Sequence, residues 1–338
     1  PLFKDLKHDP AFLFKRLLPW FPRFIRTVRK INRMNGPVEA YLETAVKNPS
    51  LRDIISQHFF RNTPAFFALS YFSLYLDYVY PKGGMGKLAD ALRDKVREHG
   101  GEIRTETKIV DVEADQRLVR DQNGAVCAYD NLIWAADLKT LYKIARVGSL
   151  PPGMRGRWEA EKDKMLKHRG GDSVFTLFLE IDEPLETFGN ISRGHFFYTP
   201  SKRGLGGIHG RELDQLLRDW DTIGKGRILS WLDRFAELNT YEISIPGLKD
   251  PDMAPAGRTG LIVSCLAEYD LFDKVRKSGW IDEFKRELED RIVRVLSDSI
   301  YPMLNDKLMA RFSFTPLSIE QRIGSSEGAI TGWSFQEA

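Results

Sequence analysis

Glycine-rich runs are the first places to look for a bound cofactor, because a backbone without Cβ can lie close to a ligand. Two such runs stand far apart in the chain: Pro81-Lys82-Gly83-Gly84-Met85-Gly86, and Gly324-Ser325-Ser326-Glu327-Gly328 with Ala329 next to it. The first is not a phosphate loop, since Pro81 stands where the leading glycine belongs and Lys87 is followed by Leu88 rather than Ser or Thr. The second matches the GxSxG spacing of a serine nucleophile, but no histidine comes after it, whereas the α/β-hydrolase order puts acid and histidine after the serine. The dinucleotide fingerprint GxGxxG is not met either: Gly204-Leu205-Gly206-Gly207-Ile208-His209 lacks its third glycine. Six histidines without mutual ligand spacing and two distant cysteines, Cys127 and Cys265, argue against a metal site and against a disulfide framework. The cysteine usage points to a reducing, cytoplasmic setting.

The elements that must position these runs can be read from pattern. After Tyr80 a helix carrying Leu88, Leu92 and Val96 at spacing four ends at Gly100-Gly101. Short strands are expected around Ile103, over 108–113, 117–121 and 125–129, the last two joined by the hairpin signal Asn123-Gly124. Asn131–Ala136 reads as a buried strand that ends in the small residues Ala135 and Ala136. Later strands are expected at 174–181, 195–198, 241–245, 261–266 and 308–314, with an amphipathic helix over 281–296.

The first 80 residues differ in kind. The net charge of +3 is uneven: residues 1–35 carry nine Lys or Arg against Asp5 and Asp9, a local charge of +7 on a body of −4. Asp9-Pro10 starts a helix, and Pro19 and Pro22 are expected to divide the next stretch into two short ones. This segment admits three readings: a core stripe with a solvated basic face, an interfacial helix placing Trp20, Phe21 and Phe24 in lipid with Arg23 and Arg26 at headgroups, or a nucleic-acid patch. No base-reading motif accompanies the charge, so nucleic acid is not expected as a partner. Residues 38–60 read as one helix. The stretch 59–80 is dense in aromatics, and Phe66, Phe67, Tyr71, Phe72 and Tyr75 are either core or the lining of a channel for an apolar substrate.

Beyond pattern, YPKGGMGKLADALRDKVREHGGEIRTETKIVDVE resembles the central signature of the phytoene desaturase-like flavoproteins, a group of carotenoid desaturases, carotenoid isomerases and retinol saturases within the amine-oxidase-like superfamily. NLIWAADLKTLYKI, NTYEISIPGLKDPDMAPAGRTGLIVSCLAEYD and FTPLSIEQRIGSSEGAITGW resemble later blocks of the same family. The resemblance implies FAD as cofactor and an apolar polyene or isoprenoid as substrate. It implies that Gly83, Gly84, Met85, Val110, Ala135, Ala136, Gly328 and Ala329 lie at the cofactor. It assigns no catalytic residue: Lys82, Arg322 and Glu327 lie near matched blocks, and surface ion pairing is expected of each.

The family's opening βαβ unit and its closing glycine-rich segment have no counterpart here, so the sequence is expected to be an internal part of a larger flavoprotein, inactive alone. The expected class is α/β with α+β character: a helical, aromatic segment over 1–79, part of an FAD-binding domain over 80–145, a mixed-sheet substrate domain with flanking helices over 146–315, and a return to the FAD domain over 316–338. The competing expectation is a non-catalytic module that binds lipid or membrane on the same fold.

Overall fold

A computed structural model describes residues 18–74, 79–206 and 208–335; the expected helix start at Asp9-Pro10 and the channel residue Tyr75 lie outside them. The chain divides into two compact units, residues 1–78 and 79–338.

In the first unit, α1 (Leu18–Arg33) runs through Pro22 without a break, and the stretch before Leu18, where the first of the two expected helices would lie, is outside the described residues. Pro22 falls in the first turns of the described helix, where few backbone bonds are forfeited. The expected helix over 38–60 is in fact two, α2 (Val38–Ala45) and α3 (Pro49–Ser56). The break is chemical: Asn48 Oδ1 accepts from Leu51 N at 3.3 Å and Pro49 holds the first helical position, which forces extended backbone just before it. α4 (Ala65–Leu74) comes next. Val38, Leu42, Phe59, Ala65 and Ala68 form this unit's own small core, and Phe72 packs edge-on against Phe59 with centroids 5.1 Å apart.

The second unit opens with α5 (Gly86–Glu98) and then a small sheet of β1 (Ile109–Glu113), β2 (Leu118–Asp121) and β3 (Val126–Ala128). α6 (Leu138–Ile144) leads to β4 (Ala145–Arg146), which pairs parallel with β1, giving the order β3-β2-β1-β4. No strand forms around Ile103. Asn131–Ala136 is not a buried strand either: it is irregular, with Ile133 89% exposed and Ala135 and Ala136 exposed. The stretch pairs with neither edge strand of the small sheet, β3 or β4.

α7 (Pro152–Lys167) connects to the larger sheet. Its elements, in chain order, are β5 (Ser173–Ile181), α8 (Leu185–Ile191), β6 (His195–Tyr198), α9 (Leu213–Arg218), α10 (Lys225–Leu238) and β7 (Tyr241–Ser244). They continue as α11 (Pro246–Lys249), β8 (Thr259–Ala267), α12 (Tyr269–Lys277), α13 (Ile281–Ser299), α14 (Leu304–Lys307), β9 (Leu308–Phe314) and α15 (Pro316–Ile323). The strands form an antiparallel sheet in the order β6-β7-β8-β5-β9. On β5, Phe175, Leu177, Leu179 and Ile181 point to one face, where they pack with Trp231 and Phe235 of α10 and Phe284, Leu288 and Ile292 of α13. That face is the core, and the fold is of the α/β class. Among the described residues no helix is long and apolar enough to cross a membrane.

Candidate functional site

Three separated stretches converge on one cleft of about 290 Å³: Ala136, Asp137 and Leu138 at the start of α6, Gly170 ahead of β5, and the run after α15 that includes Ser325, Ser326, Ala329 and Trp333. Asp137 organises the meeting. Its Oδ1 accepts from Thr140 N at 2.7 Å and so caps α6, while its Oδ2 accepts from Ser326 N at 2.9 Å and ties that helix to the loop after α15. Burial alone would raise this carboxyl; the N–H groups of Ser326 and Thr140, with their hydroxyls, outweigh it and hold it below its ordinary range.

The neighbouring Glu327 is not the surface ion pair expected. Its Oε1 lies 2.7 Å from Nζ of Lys139, a buried lysine, and its Oε2 accepts from Gly170 N at 2.7 Å. Glu327 and Gly328 both hold left-handed backbone, at φ 54° and 61°. A Cβ on Gly328 would stand 2.2 Å from the Pro316 carbonyl oxygen, and Ser173 Oγ donates to the Gly328 carbonyl at 2.6 Å. The GxSxG spacing therefore serves a turn after a helix, not a strand-to-helix elbow, and the nucleophile reading fails on geometry. Ser325 Oγ is buried and without a hydrogen-bond partner.

Of the expected cofactor residues, Ala136 and Ala329 line this cleft and Gly328 shapes its wall. Ala135 is exposed beside Ala136 and is not among the lining residues. Gly83, Gly84 and Met85 are elsewhere. Gly83 N donates to buried Asp250 Oδ2 at 2.6 Å, a Cβ on Gly84 would meet Met253 Sδ at 3.1 Å, and Met85 is 58% exposed. Both glycines have positive φ, so the turn demands them whatever else it touches. Val110 is exposed and sits at a bulge, between the paired residues Ile109 and Asp111. Lys82 meets Asp252 at 3.9 Å on the surface, as expected, whereas Arg322 stacks over the Phe314 ring at 4.8 Å instead of forming an ion pair.

In the first unit, Phe66 and Tyr71 are half-buried and Phe67 and Phe72 exposed. Trp20, Phe21, Phe24, Arg23 and Arg26 are all exposed on α1.

A second apolar surface went unread in the sequence. The larger sheet has its core on one face only; on the other, Phe178 stacks flat on Phe312 with centroids 4.6 Å apart, and Phe314 meets Phe178 edge-on at 5.6 Å. Phe178 and Phe312 are direct cross-strand partners. The residue parity along β9 was the available signal, since Phe312 and Phe314 are two apart and so share a face.

Comparison with known proteins agrees with this architecture. The chain is 22% identical over 331 residues to a carotenoid 3,4-desaturase of Haloarcula japonica, covering 94% of this chain and 58% of that protein. It thus spans little more than half the length of that relative. Among solved structures, an oxidoreductase from Methanosarcina mazei superposes with a TM-score of 0.53 at 14% identity, over 87% of this chain and 59% of that one. A putrescine oxidase with redesigned cofactor binding gives 0.52 at 12% identity, over 88% and 56%. At those identities the likeness is one of fold. The profile of the family described as flavin containing amine oxidoreductase matches residues 50–306, more than half of the sequence, and the chain belongs to that family.

Proposed function

We propose that the protein is the larger part of an FAD-dependent oxidoreductase that desaturates a polyene or related isoprenoid lipid. The observation that carries this reading is the cleft joining Ala136 and Ala329, two of the residues expected at the cofactor, in a chain of the flavin amine oxidoreductase family.

The residues fit one edge of a flavin ring. Ala136, Leu138, Ala329 and Trp333 would offer it apolar walls, and the unpartnered Ser325 Oγ would offer one hydrogen-bonding group. When bound, a flavin supplies the acceptor for a hydride leaving an allylic carbon; loss of the adjacent proton to water then leaves a new carbon–carbon double bond. The chain's own residues shape the cleft. Asp137 and the Lys139–Glu327 pair hold the two sides of the cleft together, and the Phe178–Phe312 stack, with Phe314 edge-on to it, is an aromatic surface against which a conjugated chain can pack. The carotenoid relative supports a substrate of that class.

The test uses the product of the complete reading frame, purified with FAD and given an acyclic carotenoid in detergent. The expected result is a flavin spectrum together with a red shift of the carotenoid as conjugation lengthens, both lost in Ala329→Trp, which fills the cleft. A colourless protein, or an Ala329→Trp variant that keeps full flavin and turnover, overturns the reading.

A further inference from the structure

α1 segregates its side chains completely. At about 100° per residue, Trp20, Phe21, Phe24, Ile25, Val28 and Ile31 fall on one side, and Arg23, Arg26, Arg29, Lys30 and Arg33 on the other. The helix has no acidic residue in its sixteen and not one buried residue. Its apolar side is open: Trp20 is 45% exposed, Phe21 53%, Phe24 42% and Ile31 37%. A core helix of this protein behaves differently, since Phe284, Leu288 and Ile292 of α13 are at most 1% exposed. Trp20 and Phe24 stack on each other at 4.7 Å, a pair of aromatic rings presented to the outside. None of the five cations is ion-paired among the described residues.

We propose that α1 lies in the plane of an anionic lipid surface, with Trp20, Phe21 and Phe24 in the acyl boundary and the five cations at phosphate headgroups. Charge complementarity selects this occupant. A second copy of the chain would bring five more like charges to the same place, and a nucleic acid would use the cations while leaving the aromatic side in water. Arg26, Arg29, Lys30 and Arg33 border a groove of about 690 Å³ together with Phe21 and Ile25, so cationic and apolar groups meet along one rim, as headgroup and acyl chain do. An interfacial helix needs no span-length apolar run, and α1 has none.

The experiment is co-sedimentation of the protein with vesicles of phosphatidylcholine containing one-quarter phosphatidylglycerol, and with pure phosphatidylcholine, at low and high salt. The vesicles hold no polyene, which keeps substrate capture out of the readout and makes the result independent of the proposed activity. Expected are binding to the anionic vesicles, weakening with salt, and a loss of about 100-fold or more in R23Q/R26Q/R29Q/K30Q. Trp20→Ser with Phe21→Ser and Phe24→Ser should remove the binding that survives high salt. All seven positions are exposed, so circular dichroism and the urea midpoint should stay unchanged and report that the variants fold. Equal binding to pure phosphatidylcholine, binding unaffected by the glutamines, capture of duplex DNA in preference to vesicles, or a stable dimer that ignores vesicles would each overturn the proposal.

Discussion

The two sheets of the second unit end in opposite environments. Around the five-stranded sheet, α13 carries an apolar stripe at spacing four, and Phe284, Leu288, Ile292 and Leu296 are all at most 1% exposed. Ahead of the four-stranded sheet in the chain, α5 carries the same kind of stripe, yet Leu88 is 57% exposed, Leu92 61% and Val96 43%. The sheets themselves repeat the contrast: β5 alternates buried and half-buried along its length, while β3 is exposed at every position. Periodicity declares that a helix has an apolar side; what meets that side is a tertiary fact. The stability of this unit should therefore reside in the five-stranded region, with the four-stranded region contributing little.

One cysteine on each sheet makes the sharpest probe of that contrast. Cys127 on β3 is exposed, and Cys265 on β8 is buried, its thiol pushed up by burial to about 12. A thiolate reagent at pH 8 should modify Cys127 promptly and Cys265 about a thousandfold more slowly, reaching it only in denaturant. Comparable rates, tracked by mass spectrometry of peptides, would mean that the larger sheet opens freely and would erase the comparison.

Substitution gives the energetic version. Leu288→Ala should cost about 4 kcal/mol in urea unfolding, the transfer term plus a cavity among Phe284, Phe272 and their neighbours. Gly328→Ala should cost about 3 kcal/mol, because a Cβ at that site meets the Pro316 carbonyl and the backbone is left-handed. It should also disturb the cleft, so loss of flavin affinity should accompany the loss of stability.

Asp137→Ala should cost about 1 kcal/mol at neutral pH, the worth of a helix cap. The sign of its pH dependence is set by the depressed carboxyl. Its stabilisation is complete above the ordinary value of 3.8 and is lost as pH falls through the lower value of the folded state. The gap between wild type and variant in urea midpoint should thus close on acidification below about pH 4 and stay constant from pH 6 to 8. A gap that widens in acid would show that Asp137 is not held as an anion.

Much of this fold can be read from the sequence where a segment's neighbours are local. β9 is the stretch 308–314 that its apolar run indicates, and the Asn123-Gly124 turn joins β2 to β3. α5 and α13 are where spacing puts them. What misleads is anything decided by a distant partner. Asn131–Ala136 has strand composition but joins neither edge of the small sheet. Asp137, Lys139 and Ser325 could not be picked out, because Asp137 meets Ser326 across 189 residues and Lys139 meets Glu327 across 188. Their types are ordinary and their spacing carries no motif. Ala136, Gly328 and Ala329 were reachable through family resemblance alone, since a small residue in a cleft and a small residue in any turn look alike in one sequence. Pro49 is the opposite case: Asn48-Pro49 is a legible helix start, and reading through it merges α2 with α3.

The smallest predicted effect is the most telling about α5. In the chain as it stands, Leu92→Ser replaces a side chain that is 61% exposed, so little apolar area returns to water on unfolding and no cavity is left behind. The expected change is within about 0.5 kcal/mol, against about 4 kcal/mol for the equivalent position on α13, although both leucines occupy the apolar stripe of an amphipathic helix. If Leu92→Ser proves as costly as Leu288→Ala, the stripe is covered in solution and the two regions do not differ as described. If it is nearly neutral, the same substitution becomes a clean probe: any partner that later engages α5 should be weakened by it without loss of the folded state, which unfolding and binding measurements on one variant can separate.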